Sequence, residues 1–242
     1  MGLLYDEYMK AKGPERVAVY GATRNIYEKL RPSIKSLTEN TRMDRIWILI
    51  EDDALPFEIP ENARVLNVSG QVYFRKGGPN YNHRWTWMVL MKTAMTKILP
   101  EEKRVLWLDA DTIIFQDIGD LFETDIRGKY IGGAIETLKT GATGRTYVNA
   151  GVLYMNLEEL RDGTDDKIIN VLNEKYYPYP EQDVLNEVCQ GKIMRIPAAY
   201  NVNAFTEKTE ITKIRHYAAE PGWFDYPEVK KYREDGDGKQ GV

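Results

Sequence analysis

Short apolar segments alternate along the chain with longer segments whose apolar residues recur every three or four positions. Arg45–Ile50 and Arg104–Leu108 are almost wholly apolar and Arg16–Tyr20 is rich in Val, so each predicts a buried β-strand. Further strands are predicted at Arg64–Val68, Tyr130–Ile135, Val152–Asn156 and Ile211–Arg215.

The longer segments have the periodicity of helices. Isoleucine or leucine at positions 26, 30, 34 and 37 predicts a helix with one buried face, and Pro32 must lie early in it or bend it. Trp85–Leu99 predicts a second helix that ends before a proline. Glu181–Gln190 predicts a short helix that a glycine terminates.

This alternation predicts the α/β class, with a mainly parallel mixed sheet and helices on both of its faces. Ligands of such sheets bind at the carboxyl ends of the strands, so the residues just after Tyr20 and Leu108 are the first candidates for a site. No linker rich in Gly, Pro or Ser divides the chain, which favours one domain over residues 1–242. The polar tail after residue 232 is expected to be frayed.

Composition narrows the function classes. A formal net charge of −4 argues against a nucleic-acid partner, and no apolar run is long enough to span a bilayer. The acidic N-terminal segment does not read as a signal peptide, and Cys189 is the only cysteine, so a reduced, cytoplasmic setting is expected. The chain has 16 Tyr and 5 Trp against 6 Phe, and such rings suit sugars and nucleobases. Nothing in the sequence supports a particular oligomer.

The sequence Asp109–Ala110–Asp111 is the most informative local feature. Both carboxylates follow an apolar strand, and in extended chain residues two apart point the same way. Carboxylates are preferred ligands of Mg²⁺ and Mn²⁺, which also bind diphosphates. No glycine-rich phosphate loop is present to take that role. His216 is a candidate third ligand, but the residues alone favour a structural histidine at a strand end. His83 is expected to be exposed or structural.

Four segments in this order resemble the retaining glycosyltransferases of family 8. They are RVLWLDADTIIFQDIGDLF from 104, YVNAGVLYMNLEELR from 147, YPEQDVLNEVCQGKI from 179 and HYAAEPGW from 216. The resemblance implies a single Rossmann-like GT-A domain, with a nucleotide-binding half at about 16–115 and a donor-sugar and acceptor half at about 116–224. It also implies Mn²⁺ or Mg²⁺, a UDP-sugar donor, and a glycan, glycolipid or protein as the acceptor.

The resemblance assigns site residues by position. The implied metal ligands are Asp109, Asp111 and His216, and the implied catalytic residues are Gln182, Glu181 and Lys92, with Arg84 as an alternative to Lys92. The residues implied in binding the nucleotide-sugar are Tyr20, Gly21, Ala22, Thr23, Asn25 and Tyr27 after the first strand, then Asp109, Ala110, Asp111, Glu136, Asn149, Ala150, Gly151 and Asp183. Gly151 is expected to allow a close backbone approach.

The chain departs from the family pattern in two ways. Glutamate stands at 136 and 181 where aspartate is usual, which leaves the donor sugar open between glucose and galactose. The final motif lacks its usual lysine, for which Lys208, Lys213 or Arg215 could substitute. Acceptor contacts are expected in the loops Ser69–Asn82, a candidate lid, and Leu138–Tyr147. Two alternatives stay open: a sugar nucleotidyltransferase, and a member that binds nucleotide-sugar without turnover.

Overall fold

The computed structural model describes residues 14–82 and 85–233, so the predictions for His83, Arg84 and the tail beyond residue 233 lie outside the described residues. A seven-stranded sheet with the order β3-β2-β1-β4-β7-β6-β8 forms the centre of the fold. Its strands are β1 (Val17–Gly21), β2 (Arg45–Ile50), β3 (Ala63–Asn67), β4 (Arg104–Leu108), β6 (Ile131–Ile135), β7 (Val148–Asn156) and β8 (Ile193–Arg195). A second sheet of two strands pairs β5 (Thr112–Ile114) with β9 (Ile214–His216).

The large sheet is mainly parallel, as predicted. Strands β3, β2, β1 and β4 run parallel to one another, β7 is antiparallel to both β4 and β6, and β8 is parallel to β6. Alternate residues of β1 enter different cores, Val17 and Val19 on one face, Ala18 and Tyr20 on the other. Both faces are therefore covered, which confirms the α/β class.

The helices pack on these two faces. Their bounds are α1 (Tyr27–Asn40), α2 (Met88–Met91), α3 (Met95–Ile98), α4 (Gly119–Phe122), α5 (Thr137–Thr143), α6 (Leu157–Leu160), α7 (Thr164–Glu174), α8 (Pro180–Val188) and α9 (Pro227–Arg233). Pro32 lies in the second turn of α1, close to the predicted position. Helix α9 and the segment before it form a small third core against β5 and β9.

The prediction of one continuous helix over Trp85–Leu99 was wrong. The described part of this segment consists of α2, a 3₁₀ turn at Lys92–Ala94, and α3. Two side chains explain the tightening at the 3₁₀ turn. The Thr93 hydroxyl donates a hydrogen bond to the Leu90 carbonyl oxygen at 2.8 Å, and the buried Lys92 side chain reaches into the site described below.

Two strands near the site also differ from their predicted bounds. Strand β7 begins at Val148 and is buried throughout. The prediction began it at Val152, because Asn149 and Gly151 have low strand propensity. Strand β9 begins at Ile214 rather than Ile211, whose side chain is 57% exposed. Within residues 14–82 and 85–233, no helix has the length and apolarity that crossing a membrane requires.

Candidate active site

Two carboxylates and an imidazole meet where the two sheets adjoin. Nε2 of His216 lies 3.3 Å from Oδ1 of Asp111 and 4.0 Å from Oδ2 of Asp109. One ligand atom from each of the three residues falls within 4.8 Å of the others. Asp109 and Asp111 follow the carboxyl end of β4. The pairing of β5 with β9 places His216 directly opposite Thr112.

The conformation that brings the two aspartates together is a turn, so the argument from extended chain was wrong. Both the backbone N–H and the hydroxyl of Thr112 donate to the Asp109 carbonyl oxygen, at 3.2 Å and 2.8 Å. The Asp111 carbonyl oxygen then accepts a hydrogen bond from the Tyr217 N–H at 2.9 Å. The turn is fixed at both ends, which holds the two carboxylates at the mouth of the site.

The charges at this site support one another. Burial disfavours an ionised Asp111, but the adjacent His216 outweighs burial and holds the pKa of this carboxyl below its usual range. Burial likewise disfavours the charged imidazole, yet Asp111 and then Asp109 raise the pKa of His216 above its ordinary value. Two carboxylates with one imidazole match the ligands that Mn²⁺ accepts, so the residues present fit a hard divalent cation.

Asp109 is oriented by two buried donors. Its Oδ1 accepts hydrogen bonds from Nε1 of Trp107 at 2.7 Å and from Nζ of Lys92 at 3.1 Å, which leaves Oδ2 facing His216. The Lys92 side chain is fully buried, and its Nζ also donates to the Ala150 carbonyl oxygen at 2.7 Å and lies 3.8 Å from Oε1 of Glu181. Lys92 therefore supports Asp109 from within the protein.

Two glycines make room for side chains of the site. A Cβ on Gly21 would lie 2.6 Å from the Trp107 ring, and a Cβ on Gly151 would lie 2.0 Å from Cε1 of His216. The close approach expected at Gly151 is real, but the group that approaches it is the imidazole. Gly21 is closed to larger residues by Trp107, which orients Asp109, and Gly151 by His216 of the metal group.

A second polar cluster adjoins the first through β7. Oε2 of Glu136 accepts hydrogen bonds from Nε2 of Gln182 at 3.0 Å and from Nδ2 of Asn149 at 3.3 Å. Oε1 of Gln182 accepts from the Ala150 N–H at 2.9 Å. These residues were implied in holding the donor sugar, and the structure brings them together beside the metal group.

Glu181 has a free hydrogen-bonding position in this cluster. Its Oε2 is buried and has no partner among the described residues, and burial raises the pKa of the carboxyl. A buried polar atom without a partner is costly unless a ligand satisfies it. Glu181 is thus the side chain in this cluster best placed to accept a hydrogen bond from a bound molecule.

Both carboxylate oxygens of Asp183 have hydrogen-bond partners within the protein. Its Oδ1 accepts from the Tyr147 hydroxyl at 2.5 Å, and its Oδ2 accepts from the Tyr179 N–H at 2.9 Å. Nζ of Lys139 lies 3.5 Å from the same carboxylate. Oδ2 thus closes the first turn of α8, the capping role that a carboxylate has near a helix N-terminus, while Oδ1 connects the helix to the residue before β7.

The loop after β1 differs most from its implied role. Tyr20 and Ala22 are buried in the core, whereas Tyr27 is mostly buried but lines, with Asn25, the pocket described below. The Tyr27 hydroxyl accepts from the Glu51 N–H at 2.9 Å and donates to Asp52 at 3.0 Å. The Thr23 hydroxyl donates to Oδ1 of Asn25 at 2.7 Å, and of these side chains only that of Asn25 is exposed.

A pocket beside this loop was missed by the sequence analysis. It has a volume of about 490 Å³, and Arg24, Ile26, Asp52 and Phe224 are among the residues that line it. Arg24 forms a two-pronged ion pair with Asp52, at 2.8 Å and 2.5 Å. Asp52 follows the carboxyl end of β2 as Asp109 follows that of β4, so the rule that directed attention to Asp109 would also have found it.

Comparison with known proteins decides the family. The model of the family described as "Glycosyl transferase family 8" matches residues 19–220. The chain belongs to this family.

Individual members of family 8 are similar over part or all of the fold. Lipopolysaccharide 1,2-glucosyltransferase of Escherichia coli K12 is 30% identical in a match that covers 54% of this chain and 48% of that protein. The galactosyltransferase LgtC, solved with donor and acceptor sugar analogues, superposes with a TM-score of 0.69 at 18% identity, over 90% of this chain and 95% of that one. GlyE of Streptococcus pneumoniae TIGR4 gives 0.66 at 18% identity, over 92% of this chain and 61% of that one. The chain spans about half the length of the curated relatives it matches.

The lysine that this family 8 chain lacks is not replaced by two of the three predicted substitutes. Lys213 pairs with Asp120 at 2.5 Å, and Arg215 pairs with Glu220. Arg215 precedes His216 in β9, so its side chain points to the opposite face of the strand. Lys208 is exposed in the segment before β9 and stays an untested substitute.

The loop Ser69–Asn82 is attached to α7 and the segment after it. Nδ2 of Asn80 donates to the carbonyl oxygens of Leu172 and Lys175, at 2.7 Å and 2.8 Å. The Arg75 N–H donates to Oδ1 of Asn173 at 2.9 Å. A lid motion of this loop would have to break these hydrogen bonds.

Proposed function

We propose that this family 8 chain is a retaining hexosyltransferase that moves a hexose from a UDP-sugar to a glycan, glycolipid or protein acceptor. Asp109, Asp111 and His216 would hold Mn²⁺ or Mg²⁺, and their convergence is the observation that carries the proposal. Glucose and galactose are the first donors to test, since relatives include a lipopolysaccharide glucosyltransferase and a galactosyltransferase.

The reaction separates a nucleoside diphosphate from the anomeric carbon of the sugar. A divalent cation at this site would supply a Lewis acid for the negative charge that develops on the departing diphosphate. The chain's own contribution is to orient Asp109 through hydrogen bonds from Trp107 and Lys92. The buried charge of Lys92 also offsets the repulsion between Asp109 and Glu181.

Retention of configuration is explained by reaction on one face of the sugar. The bond between the anomeric carbon and the diphosphate oxygen breaks, and the acceptor oxygen bonds to the anomeric carbon from the same side. The acceptor proton passes to the departing diphosphate, which balances the transfer. Gln182 is an uncharged amide with its oxygen bonded to the Ala150 N–H, so it is suited to positioning the sugar and not to attacking it.

Other residues would bind the sugar and the nucleoside of the donor. The unpartnered Oε2 of Glu181 would accept a hydrogen bond from a sugar hydroxyl, with Glu136 held beside it by Asn149 and Gln182. The pocket lined by Arg24 and others is the candidate for the nucleoside, because it lies at the carboxyl ends of β1 and β2.

Release of UDP from a panel of donors tests the proposal. UDP-glucose, UDP-galactose and their N-acetyl forms are incubated with Mn²⁺ or with EDTA, using the unmodified chain, Asp111→Ala and the control Asp166→Ala. Asp166 is an exposed aspartate paired with Lys97, away from the site. We expect metal-dependent UDP release that Asp111→Ala abolishes and Asp166→Ala leaves unchanged.

Two other outcomes distinguish the alternatives. Release of pyrophosphate from a sugar phosphate and UTP would indicate a nucleotidyltransferase. Binding of UDP with Mn²⁺ without release from any donor would indicate a non-catalytic member, an alternative motivated by the missing lysine of the final motif. Either result would refute the transferase proposal.

A further inference from the structure

Asn201 lies behind the metal group and was not singled out by the sequence. It follows a 3₁₀ turn at Ala198–Tyr200, and its side chain is fully buried. Its Oδ1 is 3.0 Å from Nδ1 of His216, the ring nitrogen that faces away from Asp109 and Asp111. If the amide atom that faces Nδ1 is the oxygen and not the nitrogen, Nδ1 must carry a proton.

The amides on either side of Asn201 are oriented by backbone donors. Oδ1 of Asn149 accepts from the Gly151 N–H at 3.1 Å, and Oδ1 of Asn203 accepts from the N–H groups of Phe205 and Thr206, at 2.8 Å and 3.0 Å. Within a carboxamide only the oxygen accepts a hydrogen bond, so these atoms are oxygens and the opposite atoms of both amides are nitrogens.

The two neighbours then determine the orientation of Asn201. Its Nδ2 donates to Oδ1 of Asn149 at 3.0 Å, and its Oδ1 accepts from Nδ2 of Asn203 at 2.9 Å. Turning the amide over would set two oxygens against each other and two nitrogens against each other. The nearer atom facing Nδ1 of His216, at 3.0 Å, is therefore an acceptor, whereas Nδ2 of Asn203 is farther away, at 3.5 Å. Nδ1 is thus the ring nitrogen that keeps its proton, and Nε2, which faces the carboxylates, is the one that would release its proton to a metal.

We propose that Asn201 is a positioning residue that fixes the tautomer and ring orientation of His216 for binding a metal. The inference rests on the proposed function in taking His216 as a metal ligand. A histidine ligand ordinarily donates its second ring N–H to an oxygen of the protein, and here the carboxamide of Asn201 has that role. The chain of amides continues through Asn149 to Glu136, so it also connects the metal group to the proposed donor-sugar cluster.

Metal affinity without any donor tests this role. Mn²⁺ binding is measured by calorimetry for the unmodified chain, Asn201→Leu and Asn201→Asp. We expect Asn201→Leu to lose about 10–100-fold in affinity, the usual cost of removing such a partner. Asn201→Asp keeps an acceptor for the Nδ1–H but sets an oxygen against Oδ1 of Asn149, so it is expected to lose less Mn²⁺ affinity than Asn201→Leu. A role in packing alone predicts that both variants bind Mn²⁺ equally well or fail together.

Asn156→Leu is the matched control. Asn156 is also a buried asparagine whose Nδ2 donates to a carbonyl oxygen, but it lies at the far end of β7, opposite Arg104. This variant removes a buried amide at the end of β7 that is distant from Asn149 and makes no contact with His216. Its Mn²⁺ affinity is expected to equal that of the unmodified chain, and a comparable loss would overturn the inference.

Nitrogen-15 NMR of labelled histidine gives a readout in the unmodified chain. The sequence has two histidines, so His83→Gln assigns the spectrum. With diamagnetic Zn²⁺ bound, we expect a proton on Nδ1 of His216 and the metal on Nε2. Metal on Nδ1, a proton on Nε2, or no response of His216 to Zn²⁺ would overturn the inference, even if Asn201→Leu fails to fold. Neither measurement needs turnover, so absence of transferase activity with normal metal binding would refute the proposed function alone.

Discussion

A methyl group added at Gly151 should remove His216 from the metal group. The Cβ of Gly151→Ala would lie 2.0 Å, 2.4 Å and 2.6 Å from Cε1, Nδ1 and Nε2 of the imidazole. Non-bonded carbon atoms approach to about 3.5–4.0 Å, so the ring has to retreat by roughly 1.5 Å. Metal sites tolerate deviations of only about 0.2 Å in ligand distance, so a shift of this size removes the ligand.

The expected loss is at least that of a supporting residue, about 10–100-fold in Mn²⁺ affinity measured by calorimetry. Overpacking should also lower the free energy of unfolding by about 1–3 kcal/mol, measured in urea. Gly132→Ala is the control for overpacking, because its Cβ would meet the flexible end of Met194 at 2.8 Å, away from His216. It should cost stability without weakening metal binding.

A double variant decides whether the effect passes through the imidazole. In His216→Ala the ring is absent, so adding Gly151→Ala should cost no further metal affinity and little further stability. Unchanged Mn²⁺ affinity in Gly151→Ala would refute the steric argument. So would a double variant whose free energy of unfolding fell by the sum of the two single changes.

Four further results are expected. Lys92→Met leaves Asp109 and Glu181 without their buried cation, which should lower the free energy of unfolding in urea by about 3 kcal/mol, the low end for breaking a buried pair because Asp109 is partly exposed. Trp107→Phe removes the indole N–H that donates to Asp109, and should cost about 1.5–3 kcal/mol in the same assay. Because the pKa of His216 is raised, Mn²⁺ must displace a proton, so calorimetric affinity should rise with pH until that pKa is passed. In the metal-free chain the stabilisation from His216 is complete below about pH 6.5 and is lost as the pH rises through the raised pKa, which thermal unfolding would detect.

The apolar pattern predicted the centre of the fold well. The bounds of β2 and β4 were predicted to the residue, because both strands are continuous apolar segments buried between two helical layers. The first half of β7 was missed, since its Asn149 and Gly151 serve the site and not the sheet. The 3₁₀ turn at Lys92 was missed for a similar reason, as a tertiary ion pair and a threonine hydroxyl outweigh helical periodicity there.

The site was less predictable than the fold because its contacts are non-local. Asp109 and Asp111 could be found from their place after β4, but His216 entered only through family resemblance, since the pairing of β5 with β9 leaves no local signal. Tyr20 and Ala22 were misleading, because the sequence does not show which residues around the end of β1 face the core. Asn201 is defined entirely by the backbone donors around its neighbours, and no spacing in the sequence encodes them.

The pairing of β5 with β9 also determines when, during synthesis, this protein can complete its proposed metal site. All seven strands of the large sheet precede β9 in the chain, whereas the third proposed ligand lies on β9 itself. A ribosome that stalls after β8 would release a product with the complete central sheet but without His216. Such a product would lack one of the three proposed ligands, so metal capture is postponed until nearly the whole described chain has been made.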